Sequence, residues 1–342
     1  MNAVQVMLSP EETQAVLSAG LRETHGADAR LEDWTAYPLT KRGKRRAVHY
    51  QLRARVDGTA RVQCHDWVGK FYDRDEDARR VATILRELAA AGLSGRGAVV
   101  IPGFIAHDST HRVVLSRYEP GESTVAATAK YNGRVLAAIG RAMAALHATP
   151  VSSTAITSPA SLLGDLEPRL TDLCARFRGR AARLLAVLAR LERQLPQLPA
   201  ASSLLHGDLG PSHLLWQRGR IVVLDFDKWT RGDPAADLGH LVAQLRRLTL
   251  RKPGKLPSFA SVCAALLRAY QSSTPPDPGL ARRIAWYERV ALLRKIHFLV
   301  SNTTRHEQPE ALRRRRTEAI RLLREVSGTA SDDAWVGDRH AS

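Results

Sequence analysis

Two aspartates that each follow a short apolar run constrain the fold of this chain more than any other feature. Asp208 comes shortly after the run Ser203–Leu205, and Asp225 comes directly after the run Ile221–Leu224. A third apolar stretch, Leu214–Trp216, lies between them and is followed by turn residues. Short apolar runs separated by turn residues predict a β-hairpin. The sequence therefore predicts a loop that carries Asp208, followed by a hairpin whose last strand ends at Asp225.

Two carboxylates held in this way meet the needs of phosphoryl transfer. One carboxylate orients the attacking hydroxyl, and a second holds the metal that bridges the nucleotide phosphates. In kinase catalytic loops a metal-binding side chain follows the base by about five residues, and here that position is His213. The pattern predicts Asp208 as the base, with Asp225 and His213 as metal ligands. The alternative is a hairpin with two incidental aspartates.

A second motif follows the hairpin directly. Asp233 is a good helix N-cap and Pro234 suits the first helical position, and the acidic residue Asp237 comes three positions later. Residues 206–241 together resemble the aminoglycoside phosphotransferase and choline kinase-like family, whose members read HGDxxxxN, then a strand with Asp, then GDPxxDL. The resemblance implies an α+β, two-lobed protein kinase-like fold. It has a small antiparallel β-sheet N-lobe with one helix and a larger, mainly α-helical C-lobe.

The same resemblance implies an enzyme: a small-molecule kinase that transfers the γ-phosphoryl of ATP or GTP to a hydroxyl, with Mg²⁺ or Mn²⁺ as the metal. Asp208 would be the base and Asp225 the metal ligand. His206 would brace the loop by hydrogen bonding to backbone near Asp225. Asp237 would hold the catalytic loop from behind by accepting backbone N–H bonds. Asp227 stands where protein kinases have glycine and could add a carboxylate near the metal.

The residues before Gly121 follow the order strands, helix, strands, as in a kinase N-lobe. Lys70 lies on the strand just before the helix, where a kinase keeps the lysine that grips the α- and β-phosphates. A solvated lysine at a strand end is the alternative. A helix is expected over Asp75–Ala90, and Glu87, on the border of its inward face, is the candidate partner of Lys70.

Two further segments offer nucleotide contacts. An apolar strand followed by Pro-Gly predicts the hinge that binds the adenine edge, with Ser116, Arg117 and Tyr118 as candidates by position. The turn at 41–46 holds one glycine and five basic residues in place of a glycine-rich loop. These cations could replace part of the phosphate cradle, be exposed charges, or form a subsite for an anionic substrate.

The remaining chain reads as helical, with leucine and alanine at three- and four-residue spacing. The substrate pocket is expected among the C-terminal helices. Four residues there are candidates either for its lining or for plain helix surface: Trp286, Glu288, Arg289 and His297. The predicted parts are an N-terminal helical segment at 1–33, an N-lobe at 34–118, a C-lobe at 119–327 and a flexible tail at 328–342.

The chain has 342 residues and a formal net charge of +17. A basic protein can bind nucleic acid, anionic membranes or phosphorylated substrates. No nucleic-acid-binding motif and no aromatic-rich strand for base stacking are visible, so no specific nucleic acid partner is expected. Solvated arginine-rich helix faces are the simplest explanation. The charge argues against a polycationic aminoglycoside and favours a neutral or anionic metabolite as the acceptor.

The composition also indicates the cellular compartment in which the protein is expected. Three widely spaced cysteines, Cys64, Cys174 and Cys263, suit reduced thiols in a cytoplasm better than a disulfide framework. No apolar run has the length of a membrane span. The N-terminus lacks a charged region followed by an apolar core. A cytoplasmic protein without a signal peptide is therefore expected.

His213 is the main departure from the family pattern, which usually has Asn at this position. Magnesium prefers oxygen ligands, whereas neutral imidazole suits softer ions such as Mn²⁺. His213 could ligate a metal less tightly, act through a water, or weaken the site. A nucleotide-binding, pseudokinase-like regulatory protein with weak or no phosphotransfer is therefore an alternative. A protein kinase ranks last, because the motif at 232–237 leaves no room for a long activation loop.

Overall fold

The structure is a computed structural model. It describes residues 8–39, 46–56, 61–95, 97–131, 133–153, 155–197, 202–251, 253–254, 257–302 and 308–328. The predicted basic turn at 41–46, apart from the backbone of Arg46, and the predicted tail beyond Gly328 lie outside these residues. The chain separates into two compact units. The first consists of Met1–Gly121 with Val222–Asp227, and the second of Glu122–Ile221 with Lys228–Ser342.

In its described residues, the first unit is built on an antiparallel sheet with two helices. Its elements are α1 (Pro10–His25), β1 (Arg30–Pro38), β2 (Arg46–Arg55), β3 (Val62–Phe71), α2 (Asp75–Ala90), β4 (Val99–Val100), β5 (Phe104–Asp108) and β6 (Val113–Arg117). Five of these strands form one sheet in the order β1-β2-β3-β6-β5. Because β3 is flanked by strands on both sides, Lys70 is fixed in register opposite Ala47 of β2 and Val114 of β6.

Local sequence explains why the first helix begins where it does. The Ser9 hydroxyl accepts a hydrogen bond from the Glu12 N–H, and the Glu12 carboxylate accepts one from the Ser9 N–H. This capping box satisfies two backbone donors that an α-helix leaves unpaired at its start. The helix buries Leu17 and Leu21 in a core shared with Leu52 and Trp67 of the sheet. That core fixes the sheet that carries Lys70.

The second unit is mainly helical. Its helices are α3 (Thr124–Tyr131), α4 (Gly133–His147), α5 (Pro159–Gly164), α6 (Glu167–Arg176), α7 (Ala181–Arg193), α8 (Ala235–Arg251), α9 (Phe259–Gln271), α10 (Leu280–Ser301) and α11 (Pro309–Ser327). Short strands are β7 (Glu122–Ser123), β8 (Ile156–Thr157), β9 (Ser203–Leu205), β10 (Leu214–Gln217) and β12 (Thr230–Gly232). Strand β11 (Arg220–Val223) begins in the second unit and ends in the first. 3₁₀ turns lie at Arg178–Arg180 and Pro211–His213. The antiparallel sheet of the first unit and the helices of the second confirm the predicted α+β class.

The predicted hairpin after the Asp208 loop is present as β10 and β11. The two residues between these strands, Arg218 and Gly219, have φ of 49° and 91°. Positive φ at both central residues is what a type I′ turn requires, and its twist matches that of paired strands. The turn therefore sets the register of β11, whose last residues lead to Asp225.

Helix α10 is more deeply buried than its sequence indicated. Trp286 is 1% exposed and its indole N–H donates to the Leu191 carbonyl. Glu288 and Arg289 are also buried, and Glu288 accepts a hydrogen bond from Arg246 at 2.6 Å. These three side chains are thus packed in the helical core, so the alternative that they lie on the helix surface is wrong.

Within the described residues, no helix is both long and apolar enough to cross a membrane.

Candidate active site

The first unit gathers a lysine and two aspartates that are far apart in sequence. The Nζ of Lys70 lies 2.7 Å from Oδ1 of Asp225 and 2.5 Å from Oδ1 of Asp227. The Tyr72 hydroxyl also donates to Asp227, at 3.1 Å. Burial, followed by the negative charge of Asp227, raises the pKa of Tyr72, so this phenol stays protonated as a donor. The lysine expected to grip phosphates is thus in direct contact with the aspartate expected to bind metal.

The backbone at Asp225 is unusual. Its φ is +69°, in the left-handed region that non-glycine residues seldom occupy and that Asp and Asn tolerate best. Residues held in such conformations cost about 1–3 kcal/mol and cluster at functional sites. The following residue, Phe226, is 2% exposed. Burial of that ring anchors the segment and holds Asp225 in its costly conformation beside Lys70.

A small cavity of about 300 Å³ opens beside this cluster, lined in part by Lys70 and Asp227. The α2 residues that line it are Asp77, Arg80 and Val81, near the start of the helix. Glu87 is half-buried and lies near the other end of α2. Among the described residues, the hydrogen bonds of the Lys70 ammonium go to the two aspartates. The pairing of Glu87 with Lys70 therefore stays a prediction.

The candidate hinge residues sit at the end of β6 and beyond it. The N–H of Arg117 donates to the Gly103 carbonyl at 2.7 Å, and the N–H of Tyr118 donates to the Asp66 carbonyl at 2.9 Å. These two amides are therefore already used within the first unit. A nucleotide contact at Ser116, Arg117 or Tyr118 would rely on their other polar groups, and their role remains a prediction.

In the second unit, the loop of Asp208 is held by Asp237 at the start of α8. The carboxylate of Asp237 accepts the N–H of His206 at 2.6 Å and the N–H of Gly207 at 2.9 Å. This confirms the predicted role of Asp237 behind the loop. Burial by itself would raise the pKa of Asp237, but the hydrogen bond and charge of His147 and the proximity of His206 hold it below its ordinary value. The brace is therefore a carboxylate, able to accept several bonds at once.

His206 also supports this loop, and its expected hydrogen bond to backbone near Asp225 stays a prediction. Its Nδ1 accepts the N–H of Asp208 at 3.3 Å. Gly207 has φ of +78°, and a Cβ there would overlap the carbonyl of Lys228. Only glycine fits this conformation and this close approach. The HGD sequence thus encodes the shape of the loop as well as its charge.

The orientation of His213 bears on metal binding. Its Nδ1 lies 2.9 Å from the carbonyl oxygen of Asp208. A carbonyl can only accept, so Nδ1 carries the proton. In the neutral ring the lone pair is then on Nε2, the atom with which an imidazole can bind a metal. The ring also stacks on His206, with centroids 5.6 Å apart. The local geometry fits a ligand role for His213.

The donor groups of the site suit a divalent cation bound together with phosphates. Asp225 and Asp227 direct two carboxylates at one ammonium, so the cluster with Lys70 has a net negative charge. Within the part of the chain that the structure describes, no group of three or more His, Cys, Asp or Glu side chains could hold a metal by itself. Magnesium typically binds through one or two carboxylates plus substrate phosphates. The residues present fit that mode.

A histidine that the sequence did not single out lies beside Asp208. The Nε2 of His240 is 3.5 Å from Oδ1 of Asp208 and 3.0 Å from Nε2 of Gln244. The amide oxygen of Gln244 accepts from Arg247 at 2.5 Å, so its NH₂ group faces the histidine. His240 Nε2 must then accept and carries no proton. Burial, with the positive charge of Arg294, lowers the pKa of His240 even though Asp208 and Asp237 oppose this. Burial thus favours the neutral form of His240 beside the proposed base, and Gln244 donates to its Nε2.

Replacing Gln244 by glutamate should reverse this arrangement. A carboxylate would accept a hydrogen bond from a protonated His240 Nε2 and so favour the imidazolium, which would pair with Asp208 and weaken it in its proposed role as the base. We expect kcat/KM to fall about tenfold at pH 6.5 and to recover toward wild type at pH 8.5, as the imidazolium loses its proton. Gln244→Met is the control. A loss of the same size at both pH values in Gln244→Glu would mean that the residue only packs.

Asp233 caps α8, as predicted, and also takes part in a buried ion pair. It accepts the N–H of Ala235 at 3.0 Å and pairs with Arg283 of α10 at 2.7 Å. Arg283 in turn holds Asp277 at 2.6 Å. The side chain of Asp233 is fully buried, and breaking such a pair is strongly destabilising. The motif therefore joins α8 to α10 as well as starting the helix.

Comparison with known proteins gives one family match. The model of a phosphotransferase enzyme family, APH, matches residues 50–287, which include both aspartates of the hairpin region and Lys70. No curated protein matches the sequence significantly. The family match thus spans well over half of the chain.

Solved structures resemble the whole chain at low identity. Macrolide 2′-phosphotransferase MphH from Brachybacterium faecium is 22% identical with a TM-score of 0.54, covering 91% of this chain and 98% of that one. A choline/ethanolamine kinase family protein from Mesorhizobium loti is 18% identical with a TM-score of 0.60, covering 98% and 100%. The amicoumacin kinase hAmiN, in complex with AMP-PNP, Ca²⁺ and Ami, is 14% identical with a TM-score of 0.62, covering 95% of each chain. These likenesses establish the kinase-like fold.

Proposed function

Since this chain belongs to the APH phosphotransferase enzyme family, we propose that it transfers the γ-phosphoryl of ATP or GTP to a hydroxyl of a small neutral or anionic metabolite. The resemblance inferred from residues 206–241 is thereby confirmed. The observation that carries the proposal is the contact between Lys70 and Asp225, 155 residues apart in sequence. The family pattern assigns phosphate binding to the first and metal binding to the second.

The proposed mechanism assigns one task to each residue. Asp208 orients the acceptor hydroxyl and accepts its proton as the oxygen attacks. Lys70 moves its hydrogen bonds from the aspartates to phosphate oxygens when a nucleotide binds. Asp225, with His213 as second candidate, would hold the divalent cation, which neutralises charge on the phosphates when bound. Asp237 and Gly207 keep the loop of Asp208 in shape.

The proposed acceptor class rests on charge. The chain carries +17 overall, and Arg294 interacts electrostatically with Asp208 as well as with Arg169 and Asp165. The excess of positive charge over the whole chain would repel a multiply charged amine. A phosphotransfer assay against a panel of sugars, alcohols and phosphorylated metabolites, with kanamycin as the cationic comparison, tests this. Kanamycin turnover with kcat/KM of about 10⁴ M⁻¹s⁻¹ or more would contradict it.

His213→Asn should change the preferred metal. If the imidazole ligates, the wild type should favour Mn²⁺ over Mg²⁺, and the variant should regain Mg²⁺ use because an amide oxygen suits the harder ion. We expect the ratio of activities with Mn²⁺ and Mg²⁺ to fall about tenfold, in the range that metal-site changes produce. Titrations with MgATP and MnATP measure this ratio. An unchanged ratio would mean that His213 is structural.

His213 also keeps one alternative function open. A nucleotide-binding regulatory protein with weak or no transfer would bind MnATP but turn over none of the acceptor panel. The same titrations distinguish the small-molecule kinase from this nucleotide-binding regulatory protein. If neither metal–nucleotide complex binds to the wild type, both readings fail.

A further inference from the structure

A second concave site lies in the second unit between α8 and α11, and we call it the basic groove. Its volume is about 760 Å³, within the roughly 300–1,000 Å³ typical of small-molecule pockets. Among the described lining residues are two glutamates, Glu310 and Glu318, and six arginines. The arginines are Arg247, Arg251, Arg313, Arg314, Arg315 and Arg321. The groove therefore carries a net charge of +4.

The two glutamates are each engaged by arginines of the groove. Glu318 contacts Arg247 at 2.7 Å and Arg251 at 3.7 Å. Glu310 contacts Arg314 at 2.5 Å. One carboxylate is thus shared between two guanidinium groups, and positive charge remains in excess.

Other guanidinium groups are held by neutral acceptors. Arg315 donates to the carbonyls of Leu299 and Phe298, at 3.0 and 2.9 Å. Arg321 donates to the Leu250 carbonyl at 3.4 Å. A carbonyl orients a guanidinium without cancelling its charge. These contacts fix the direction of the side chains and preserve their attraction for an anion.

The pKa of Lys295, on α10, is affected by the arginines of the groove. Burial, together with the positive charges of Arg247, Arg315 and Arg251, lowers the pKa of its ammonium to about 8, although Glu318 opposes the shift. A lysine is pushed toward its neutral form where cations exceed anions. Burial is the largest cause of the shift, and the nearby arginines of the groove add to it because they outnumber the carboxylate that opposes them.

We propose that the basic groove binds a small, multiply phosphorylated anion, at a site separate from Lys70 and Asp225. Guanidinium groups match phosphate oxygens in a bidentate geometry, and arginines from two helices can contact several phosphates at once. The concave shape favours a compact ligand over a membrane surface or an extended nucleic acid backbone. The groove thus adds an anion site to the kinase site.

The test uses inorganic tripolyphosphate as the probe, titrated calorimetrically into the full chain without metal at about 0.15 M salt, where long-range attraction is screened. Arg313→Gln/Arg321→Gln removes two exposed arginines of the groove. Arg316→Gln/Arg324→Gln removes two exposed arginines of the same helix that do not line it. We expect the first pair to weaken binding by about tenfold or more and the second by less than about twofold.

A Lys70→Ala variant separates the two sites and should retain one tripolyphosphate per chain. Loss of all binding in this variant would place the anion at the kinase site and overturn the proposal. Equal weakening by both arginine pairs would overturn it in favour of nonspecific attraction. The proposal also fails if tripolyphosphate does not bind, including when single-stranded RNA or phosphatidylserine vesicles bind instead.

Discussion

Asp208→Ala is expected to lower kcat by about 10³-fold while leaving the Kd for nucleotide within about twofold of wild type, as loss of a general base does. The reason is that this carboxylate serves the acceptor hydroxyl and not the phosphates. Its loop is held by Asp237 through the backbone of His206 and Gly207, so removing the Asp208 side chain leaves the loop in place. Steady-state kinetics and nucleotide titration on the same preparation measure both quantities.

Asp225→Ala is the matched comparison, because it removes the other aspartate of the pattern. It takes away the carboxylate that contacts Lys70 at 2.7 Å, and the proposed metal ligand with it. We expect nucleotide–metal binding to be lost before any effect on chemistry can be measured. Should Asp208→Ala lose nucleotide binding while Asp225→Ala retains it, the assignment of the two roles is wrong.

Asp237→Asn is expected to lower the free energy of unfolding by about 3 kcal/mol, the cost of leaving a buried group unpaired beside a lost charge-assisted bond. The buried carboxylate accepts two backbone N–H groups and lies 3.4 Å from Nε2 of His147. An amide offers one acceptor oxygen, so one of these donors would face an NH₂ group. Urea denaturation measures the loss, and activity should fall with it because the loop of Asp208 is released.

The difference in the free energy of unfolding between wild type and Asp237→Asn depends on pH in a way that follows from the direction of the Asp237 pKa shift. Its pKa in the folded protein lies below the ordinary value of 3.8. The stabilisation is therefore complete above that value and is lost only as the pH falls through the lowered pKa. The gap between wild type and Asp237→Asn should stay constant from about pH 8 to pH 5.

A surface aspartate provides the control for Asp237→Asn. Asp77 is 45% exposed and pairs with Arg74 at 2.9 Å. Asp77→Asn should cost less than about 1 kcal/mol, because exposed ion pairs contribute little. If both substitutions cost the same, Asp237 does not act as the buried brace of the loop.

The sequence by itself determined the elements whose signals are local. The predicted helix at Asp75–Ala90 has those bounds in the structure, because its amphipathic period and acidic first turn lie within the helix itself. The hairpin before Asp225 was predictable because turn residues separate its apolar runs. The role of Asp237 was predictable from the family motif, whose residues all lie within a few dozen positions of one another.

Only the tertiary structure decided which distant side chains meet. Asp227 contacts Lys70 across 157 residues, a contact that no local pattern in the sequence indicated. Glu87 as a partner of Lys70 stays a prediction, because a helix face shows orientation but not what lies opposite. His240 next to Asp208, and the basic groove between α8 and α11, were likewise absent from the sequence signals. From the sequence alone, the arginines of the basic groove looked like solvated helix surface. Charged side chains on different helices interact through space, and the distance between the helices is set by the packing of the apolar core. The pattern of residues along the sequence does not contain that distance.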